Sequence, residues 1–472
     1  MVFNSLSFVV FFPLVLLLHR LPLSWTVKKY NLLWVSYLFY AAWNPPFVLL
    51  LWISTLLDFH LAKAMDRAEA PGKRRALLLV SLCANLGMLM FFKYGEFVLQ
   101  NYTALVHALG IAYEPPKWDI VLPAGISFYT FQTLSYTIDV YRRHLKACDS
   151  FLNFAVFIAF FPQLVAGPIV RAVDFLPQLE QPKQATPTQR GWGLALIVLG
   201  LFEKVVLADG IMAPVADLTF KDPENLSALQ AWIGVIAFSG QILFDFGGYS
   251  TCAIGASLCL GFILPDNFRF PYAAVGFTDF WKRWHISLSS WLRDYLYITL
   301  GGNRKGYWRT HLNLMLTMLI GGLWHGASWR FVVWGGLHGS YLVGERLLRE
   351  KYEKEAWTSN PVFLLCMAIF TYILTCFTWV FFRAADFASA SSYIKAMFVG
   401  GAGLKKFGTA MAIKAVAVML IIWVIHWLLR KSSVEELAAK TPVWVRAVAL
   451  AAMILLLILV PGDDRAFIYF QF

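Results

Sequence analysis

Two histidines lie in a stretch of the chain that is otherwise almost free of charge. Between residues 312 and 344 the only formally charged residue is Arg330, yet this stretch contains His325 and His338. Ionisable groups inside a membrane are costly and commonly mark a pathway, a relay or a site, and histidine exchanges protons near neutral pH. The alternative is a hydrogen bond between helices. For His325 the residues alone leave catalysis and structure equally open.

The glycines around His325 favour a break in the helix that carries it. Gly321, Gly322 and Gly326 permit close backbone approach or a helix end. A broken helix at membrane depth is tolerated only where it lines a cavity or is covered by protein, which favours a functional role for His325. His338 follows 13 residues later. In a continuous helix the two histidines would be about 20 Å apart, so we do not expect them to form one dyad.

A third candidate histidine belongs to an amphipathic segment between residues 268 and 305. Apolar side chains recur at helical spacing on one face and polar side chains on another. The apolar face contains Trp281, Trp284, Leu288, Trp291 and Tyr295, and the polar face contains Lys282, Ser289 and Arg293. This pattern predicts one helix lying in the membrane interface. His285 flanks the polar face, and it would converge with His325 if the helix dips into the same cavity.

The sequence GGNRKG follows this segment and is both glycine-rich and cationic. Its Arg304 and Lys305 are candidates for contact with a phosphorylated donor or with an anionic lipid headgroup. The lipid is the simpler of the two interpretations.

Asp245 is the main acidic candidate, at the end of an apolar run. It either orients a histidine or pairs with a basic residue such as Arg330, and the pairing is the favoured interpretation. The six cysteines contain no C-x-x-C pair, so neither a disulfide framework nor a zinc site is indicated.

The composition indicates which solvent surrounds these residues. The 472-residue chain is 59% hydrophobic and only 14% charged, against about 45–50% and about 25% in soluble domains. A soluble protein of this size would be unable to hide so much apolar surface from water. The net charge of +12 comes from short basic loops between apolar runs, as the positive-inside rule predicts for cytoplasmic loops. A nucleic-acid partner is therefore not expected.

The apolar runs predict an all-α polytopic membrane protein without a separate soluble domain. Several runs are shorter than the roughly 20 residues that a crossing needs, so we expect about eleven transmembrane helices together with re-entrant and interfacial pieces. Pro45 and Pro46 are unable to continue the helix before them, which predicts a hairpin over residues 31–61. Gly335 and Gly339 have the G-x-x-x-G spacing of a helix-packing seam.

Five motifs resemble those of a known family. They lie at residues 123–142, 160–171, 244–255, 279–306 and 321–339. In this order they are similar to motifs of the membrane-bound O-acyltransferase superfamily, and within it to the membrane subunits of bacterial alginate O-acetyltransferases. The resemblance implies a single integral membrane domain over residues 1–472 with a motif-bearing core at 121–345. It also implies a fold of transmembrane and re-entrant helices around a tunnel.

The resemblance also implies an activity and a site. Its tryptophan–histidine–glycine motif corresponds to Trp324, His325 and Gly326, and its second histidine corresponds to His285. It implies catalysis by His325 and His285, support from Trp324 and Asp245, and no metal or bound cofactor. Acetyl-CoA or another activated acyl donor is the expected substrate. The expected setting is the bacterial inner membrane, beside membrane lipids, where a periplasmic acetyltransferase or esterase-like partner completes transfer to an exported polysaccharide such as alginate.

Several alternatives stay open at this point. Within the superfamily they are acylation of peptidoglycan or cellulose and D-alanyl transfer to teichoic acid. Outside it, the chain is a transporter that moves an acyl carrier without chemistry, or a scaffolding subunit in which His325 is dispensable. Transporters commonly show inverted hydropathy repeats, and the sequence contains no such pairing.

Overall fold

Helices account for the regular secondary structure in the computed structural model, which describes residues 1–116, 120–352, 355–404, 407–460, 465 and 467–468. No β-strand occurs among these residues, which confirms the predicted all-α class. The α-helices are Leu6–Arg20, Trp25–Ala41, Val48–Arg67, Pro71–Leu89, Gly95–Ala108, Ile126–Tyr141, Phe151–Ala159, Phe161–Leu164, Ala172–Glu180, Pro187–Leu201, Ala213–Lys221, Ala228–Cys259, Phe277–Trp281, Ile286–Trp291, Tyr307–His325, Trp329–Tyr352, Pro361–Arg383, Phe387–Phe398, Thr409–Leu429, Val434–Lys440 and Val443–Leu459. Pro45–Phe47, Pro223–Asn225, Pro271–Ala273 and Ala356–Ser359 are 3₁₀ turns, and Met90–Tyr94, Phe202–Met212 and Leu292–Tyr297 are π-helical.

Several of these helices are long and apolar enough to cross a bilayer. Within the described part of the chain five meet both criteria, namely Pro45–Arg67, Pro71–Ala108, Ala228–Cys259, Pro361–Arg383 and Thr409–Leu429. Two shorter apolar helices are Leu6–Arg20 and Val443–Leu459. The chain is therefore a multi-pass membrane protein, and the count of about eleven crossings stays a prediction.

The helix breaks near the N-terminus follow the local sequence. Helix Trp25–Ala41 ends before a 3₁₀ turn at Pro45–Phe47, and Val48–Arg67 begins directly after that turn. Proline has no N–H and clashes with the preceding turn of a helix, so the break falls at the two prolines. The predicted turn of the hairpin is confirmed.

Two compact units divide the chain. The first contains residues 1–194 and 253–265, and the second contains residues 195–252 and 266–472. In the first unit, helix Ile126–Tyr141 has fourteen of its sixteen residues buried. Its apolar and hydroxyl side chains face neighbouring helices all round, as expected of a helix at the centre of a bundle.

In the second unit the helices Tyr307–His325 and Trp329–Tyr352 form a tight hairpin. A Cβ atom on Gly322 would overlap the carbonyl oxygen of Phe331, and one on Gly335 would overlap the carbonyl oxygen of Met318. The two backbones therefore touch without intervening side chains. Gly339 has a similar role, because a Cβ there would lie 2.8 Å from Sδ of Met315. The predicted packing seam is confirmed.

The prediction of one continuous interfacial helix is wrong. The segment forms two short helices, Phe277–Trp281 and Ile286–Trp291, followed by the π-helical turn Leu292–Tyr297. The break falls at His285, whose φ of 43° lies in the left-handed region. The distribution between faces is nevertheless close to the prediction. Among the predicted apolar residues Trp284, Leu288, Trp291 and Tyr295 are buried, and the cations Lys282 and Arg293 are exposed.

The hairpin seam predicts that a methyl group added at Gly322 lowers stability more than one added at Gly336. We expect Gly322→Ala to lower the free energy of unfolding by about 1–3 kcal/mol, because the methyl group meets fixed backbone atoms. The measurement is thermal unfolding of the detergent-solubilised protein. The matched control is Gly336→Ala on the same hairpin, where the nearest atom, Cδ2 of Leu319, would be 3.5 Å from the new Cβ. Equal melting temperatures for the two variants would contradict the seam.

Candidate active site

His325 is the last residue of a helix, at the point where the backbone turns. Helix Tyr307–His325 ends there, and Gly326 follows in an extended conformation. A Cβ atom on Gly326 would collide with the ring of Phe331, so glycine allows that ring to cover the turn. His325 itself is 4% exposed. The predicted helix break next to His325 is confirmed.

Aromatic rings surround His325 inside the second unit. The centroid of its imidazole lies 4.9 Å from the ring of Trp324, 5.0 Å from that of Trp334 and 5.5 Å from that of Phe382. The planes of these three rings are inclined to the imidazole plane by 73°, 79° and 67°, respectively. Aromatic rings therefore cover the imidazole of His325 on several sides.

His285 is held in a backbone conformation that residues other than glycine rarely adopt. Its left-handed φ and ψ of 43° and 54° cost about 1–3 kcal/mol, and such strain clusters at functional sites. Two backbone hydrogen bonds fix the segment, since Ile286 N–H donates to the carbonyl of Asn267 and Arg269 N–H donates to the carbonyl of Arg283. The side chain of His285 is completely buried.

A single amide, that of Asn267, determines which nitrogen of His285 carries the proton. Oδ1 of Asn267 accepts from Ser287 N–H at 3.3 Å and from Ser287 Oγ at 2.9 Å, and its Nδ2 donates to Oγ of Ser250 at 3.0 Å. Because a backbone N–H can only donate, the atom of Asn267 that faces it is the oxygen. Nδ1 of His285 lies 3.1 Å from the same oxygen and must donate to it. Nε2 is therefore the nitrogen that carries the lone pair.

Burial also favours the neutral form of the His285 ring. It lies outside the five candidate spans, and its complete burial lowers its pKa to about 3. Desolvation disfavours the charged form, so the ring is neutral at physiological pH and keeps the lone pair on Nε2.

The two predicted histidines converge. The ring centroids of His285 and His325 are 6.4 Å apart with their planes at 61°, and Trp324 lies 6.0 Å from His285. Phe246 closes the other side of His285 at 4.7 Å. Two imidazoles at this spacing, enclosed by aromatic rings, can share one oxygen atom of a reacting group and move its proton.

Asp245 pairs with a lysine, and the suggested partner Arg330 is wrong. Its Oδ1 lies 2.9 Å from Nζ of Lys204, which also lies 3.0 Å from Oδ1 of Asp209. Its Oδ2 accepts from the backbone N–H of Ile468 at 2.9 Å. Arg330 instead donates to the carbonyl oxygens of Phe381 and Ala384, where a cation complements the end of helix Pro361–Arg383.

The C-terminal segment completes the wall behind Phe246. Phe467 lies 5.9 Å from Phe246 and 4.9 Å from Tyr249 between ring centroids, and Arg465 bonds to Asp217. Asp245 therefore anchors the segment that backs the ring next to His285. Its structural role is the one that the sequence favours.

The other candidates lie in different surroundings. Nε2 of His338 bonds to Oγ1 of Thr378 at 3.0 Å, which is a bond between helices. Arg304 and Lys305 are exposed in the turn that precedes helix Tyr307–His325. No group of three or more metal-ligating side chains occurs among the residues that the structure describes.

Three residues of this region are absent from the sequence-based prediction. Lys204 and Asp209 are ionisable groups in and beside an apolar run, and that is a signal which predicts a buried pair. Asn267 gives no comparable signal, because a single asparagine in a polar loop is ordinary. Only the fold shows that it bonds to His285 and Ser287.

Asn267 gives a prediction with a pH readout. We expect Asn267→Leu to lower kcat about 10- to 100-fold, in line with the loss of partners that orient metal-bound histidines. Asn267→Asp keeps the acceptor but places a negative charge next to His285, which raises its pKa. A base must be unprotonated, so the acidic limb of the pH–rate profile moves to higher pH.

The control is another buried amide in the same unit. Nδ2 of Asn313 donates to the carbonyl of Gly302 at 2.9 Å, and we expect Asn313→Leu to change stability without moving the pH profile. An unchanged profile in Asn267→Asp would show that Asn267 is a packing residue only.

Comparison with known proteins gives a consistent result. Residues 35–382 match the family described as MBOAT, membrane-bound O-acyltransferase family. The chain is 40% identical over 404 residues to the probable alginate O-acetylase AlgI of Pseudomonas putida, covering 85% of this chain and 81% of the relative. It is also 40% identical to the protein of that name from Azotobacter vinelandii, covering 85% of this chain and 79% of the relative. A peptidoglycan O-acetyltransferase of Helicobacter pylori is 36% identical, covering 78% of this chain and 73% of the relative.

Proposed function

The chain belongs to the membrane-bound O-acyltransferase family and is an O-acyltransferase, and from that premise we propose that it acetylates an exported polysaccharide such as alginate. The polysaccharide is proposed because relatives named as probable alginate O-acetylases match 85% of the chain. The convergence of His285 and His325 at 6.4 Å in an aromatic enclosure is the observation that carries the assignment of the site.

The proposed reaction uses a neutral imidazole. The hydroxyl oxygen of the acceptor bonds to the carbonyl carbon of the acyl group while the bond from that carbon to the leaving group of the donor breaks. The proton passes from the hydroxyl to an imidazole nitrogen and then to the leaving group. His325 is the general base or a transient acyl carrier, and His285, oriented by Asn267, relays the proton or positions the reacting oxygen.

The remaining predicted residues have supporting roles in this proposal. Trp324 lies beside both histidines, 6.0 Å from His285 and 4.9 Å from His325 between ring centroids, and excludes water. Asp245 anchors the C-terminal segment behind Phe246. Arg304 and Lys305, both exposed, meet the phosphates of a donor such as acetyl-CoA. No metal or bound cofactor takes part.

Topology gives the reason for an enzyme that spans the bilayer. Activated acetyl donors are cytosolic, whereas an exported polymer is finished outside the membrane. We therefore place the chain in the inner membrane of a bacterium, as a single catalytic domain over residues 1–472 with its core at 121–345. A periplasmic acetyltransferase or esterase-like partner then receives the acyl group and completes the transfer.

Substitution of His325 tests the site. With labelled acetyl-CoA, polymer and partner present, we expect His325→Gln to lower acetyl transfer at least about 100-fold, the usual contribution of a general base. Tandem mass spectrometry of the intact enzyme after a short reaction without acceptor distinguishes the two roles of His325, because an acyl carrier retains the label.

The matched control for this test lies on the same helix. His311 is also buried but sits near the opposite end, 4.5 Å from Tyr307 between ring centroids, and we expect His311→Gln to keep normal transfer. Full acetylation by the His325→Gln variant would instead support a chain that transports an acyl carrier or acts as a scaffold.

Peptidoglycan is a second candidate acceptor. It is favoured by the relative from Helicobacter pylori, which is named as a peptidoglycan O-acetyltransferase and is 36% identical. The two acceptors use the same chemistry, since both present a sugar hydroxyl. Parallel assays with oligomannuronate and with muropeptides separate them.

The partner is tested by reconstitution. We expect the purified chain to release little acetylated polymer alone, and to transfer label to polymer once the partner is added on the opposite side of a proteoliposome from acetyl-CoA. The reason is that, in this proposal, the acetyl donor is on the cytosolic side of the membrane and the polymer is on the opposite side. Robust polymer acetylation by the single protein would contradict the relay.

A further inference from the structure

An apolar groove with two arginines at its rim lies on the first unit. Its volume is about 410 Å³, and it is lined by Pro13, Leu16, Leu17, Arg20, Arg190, Leu194 and Cys259. This volume falls within the range of about 300–1,000 Å³ that is usual for sites of small molecules. All seven residues belong to the first unit.

The groove faces outward. Leu17 is 59% exposed and Leu194 is 51% exposed, on helices Leu6–Arg20 and Pro187–Leu201. In a multi-pass membrane protein, exposed leucines on an apolar helix face contact lipid chains. The wall of the groove is therefore suited to a hydrocarbon chain.

The two arginines lie at the same end of the groove. Arg20 is the last residue of helix Leu6–Arg20, and Arg190 lies in the first turn of helix Pro187–Leu201. Nη1 of Arg190 donates to the carbonyl oxygen of Ala185 at 2.6 Å, which fixes its position and leaves further N–H groups. Among the residues that the structure describes, neither arginine forms an ion pair with a carboxylate.

This end of the unit carries further basic residues. Lys28 lies in the first turn of the next helix, Trp25–Ala41. Nε2 of His19 lies 3.1 Å from the carbonyl oxygen of Lys183, which places the loop before Arg190 next to the end of the first helix. The end of the first helix, with Arg20, therefore lies beside the loop that leads to Arg190.

We propose that this groove binds one anionic phospholipid, with an acyl chain along the leucines and the phosphate between Arg20 and Arg190. Arginine bonds to phosphate oxygens through two N–H groups at once, and basic pockets between transmembrane helices bind anionic headgroups. The apolar wall selects a lipid over a free phosphate, because a phosphate leaves that wall uncovered. The site is independent of the histidine pair.

Native mass spectrometry of the full chain in a neutral detergent tests the site. The probes are dioleoyl phosphatidylglycerol, dioleoyl phosphatidylcholine and inorganic phosphate. We expect one phosphatidylglycerol to be retained at collision energies that remove phosphatidylcholine, and millimolar phosphate not to displace it. Equal retention of the two lipids, or displacement by phosphate, would overturn the proposal.

Two kinds of variant separate the headgroup site from the chain site. The double variant Arg20→Gln, Arg190→Gln is expected to weaken phosphatidylglycerol binding on the order of 30-fold. Leu194→Trp keeps both arginines but fills the groove, and it is expected to abolish retention of the lipid. Binding that survives either change would assign the retained lipid to another surface.

Controls cover folding and general charge. Arg75→Gln removes an exposed arginine in the first unit that lies outside the groove, and we expect it to leave lipid retention unchanged. If the double variant is poorly folded in detergent, Arg20→Gln alone serves, because no hydrogen bond of Arg20 supports the described fold. A loss of binding in Arg75→Gln equal to that in Arg20→Gln would reduce the effect to net charge.

Discussion

Polar and ionisable groups in the apolar interior need partners, and both units are organised around this constraint. A polar group that is buried without a hydrogen bond costs several kcal/mol in an apolar medium, and an isolated charge costs more. In the second unit Lys204 lies between Asp209 and Asp245 at about 3 Å from each. The other carboxylate oxygen of Asp245 accepts a hydrogen bond from the N–H of Ile468. The ion cluster thereby ties helix Ala228–Cys259 to the end of the chain. Removal of Lys204 would leave two buried carboxyl groups without the cation that lies between them.

The first unit solves the same problem without a cation. Asp58 is completely buried, and it accepts hydrogen bonds from Ser81 Oγ and, at 2.8 Å, from Nδ2 of Asn85. Asn85 in turn accepts from Ser54 Oγ and Thr133 Oγ1. The donors come from three helices, so Asp58 and Asn85 together connect Val48–Arg67, Pro71–Leu89 and Ile126–Tyr141. Interhelical hydrogen bonds of this kind contribute about 1 kcal/mol each in membranes, but together they define how the helices pack.

The sequence predicts features that depend on neighbouring residues, and it leaves undetermined those that depend on distant segments. Helix ends depend on neighbouring residues, so Pro45 with Pro46, and Gly326 after His325, mark breaks that the structure contains. Pairings between distant segments depend on the packing of the whole unit. Asp245 therefore meets Lys204 and not Arg330, although all three are visible as charges in apolar runs. Helical spacing predicts one helix through His285, and that prediction fails because Asn267 and Arg269 bond to the backbone of this segment. The periodicity describes which residues are buried, but it contains no information about a backbone break imposed by a loop from elsewhere.

That break explains why His285 is suited to chemistry. In a continuous helix its side chain would flank a polar face, close to the exposed Lys282. The left-handed turn at His285 rotates the imidazole into the interior instead, where Asn267 holds Nδ1 and leaves the lone pair on Nε2. His325 reaches the same place by a different route, as the last residue of a helix that glycines allow to pack tightly and then to end. Two buried imidazoles thus meet at 6.4 Å. Strain at one backbone position and a helix end at another bring together residues 40 positions apart in the sequence. In the proposed reaction, the strained backbone at His285 gives the imidazole a fixed tautomer and orientation.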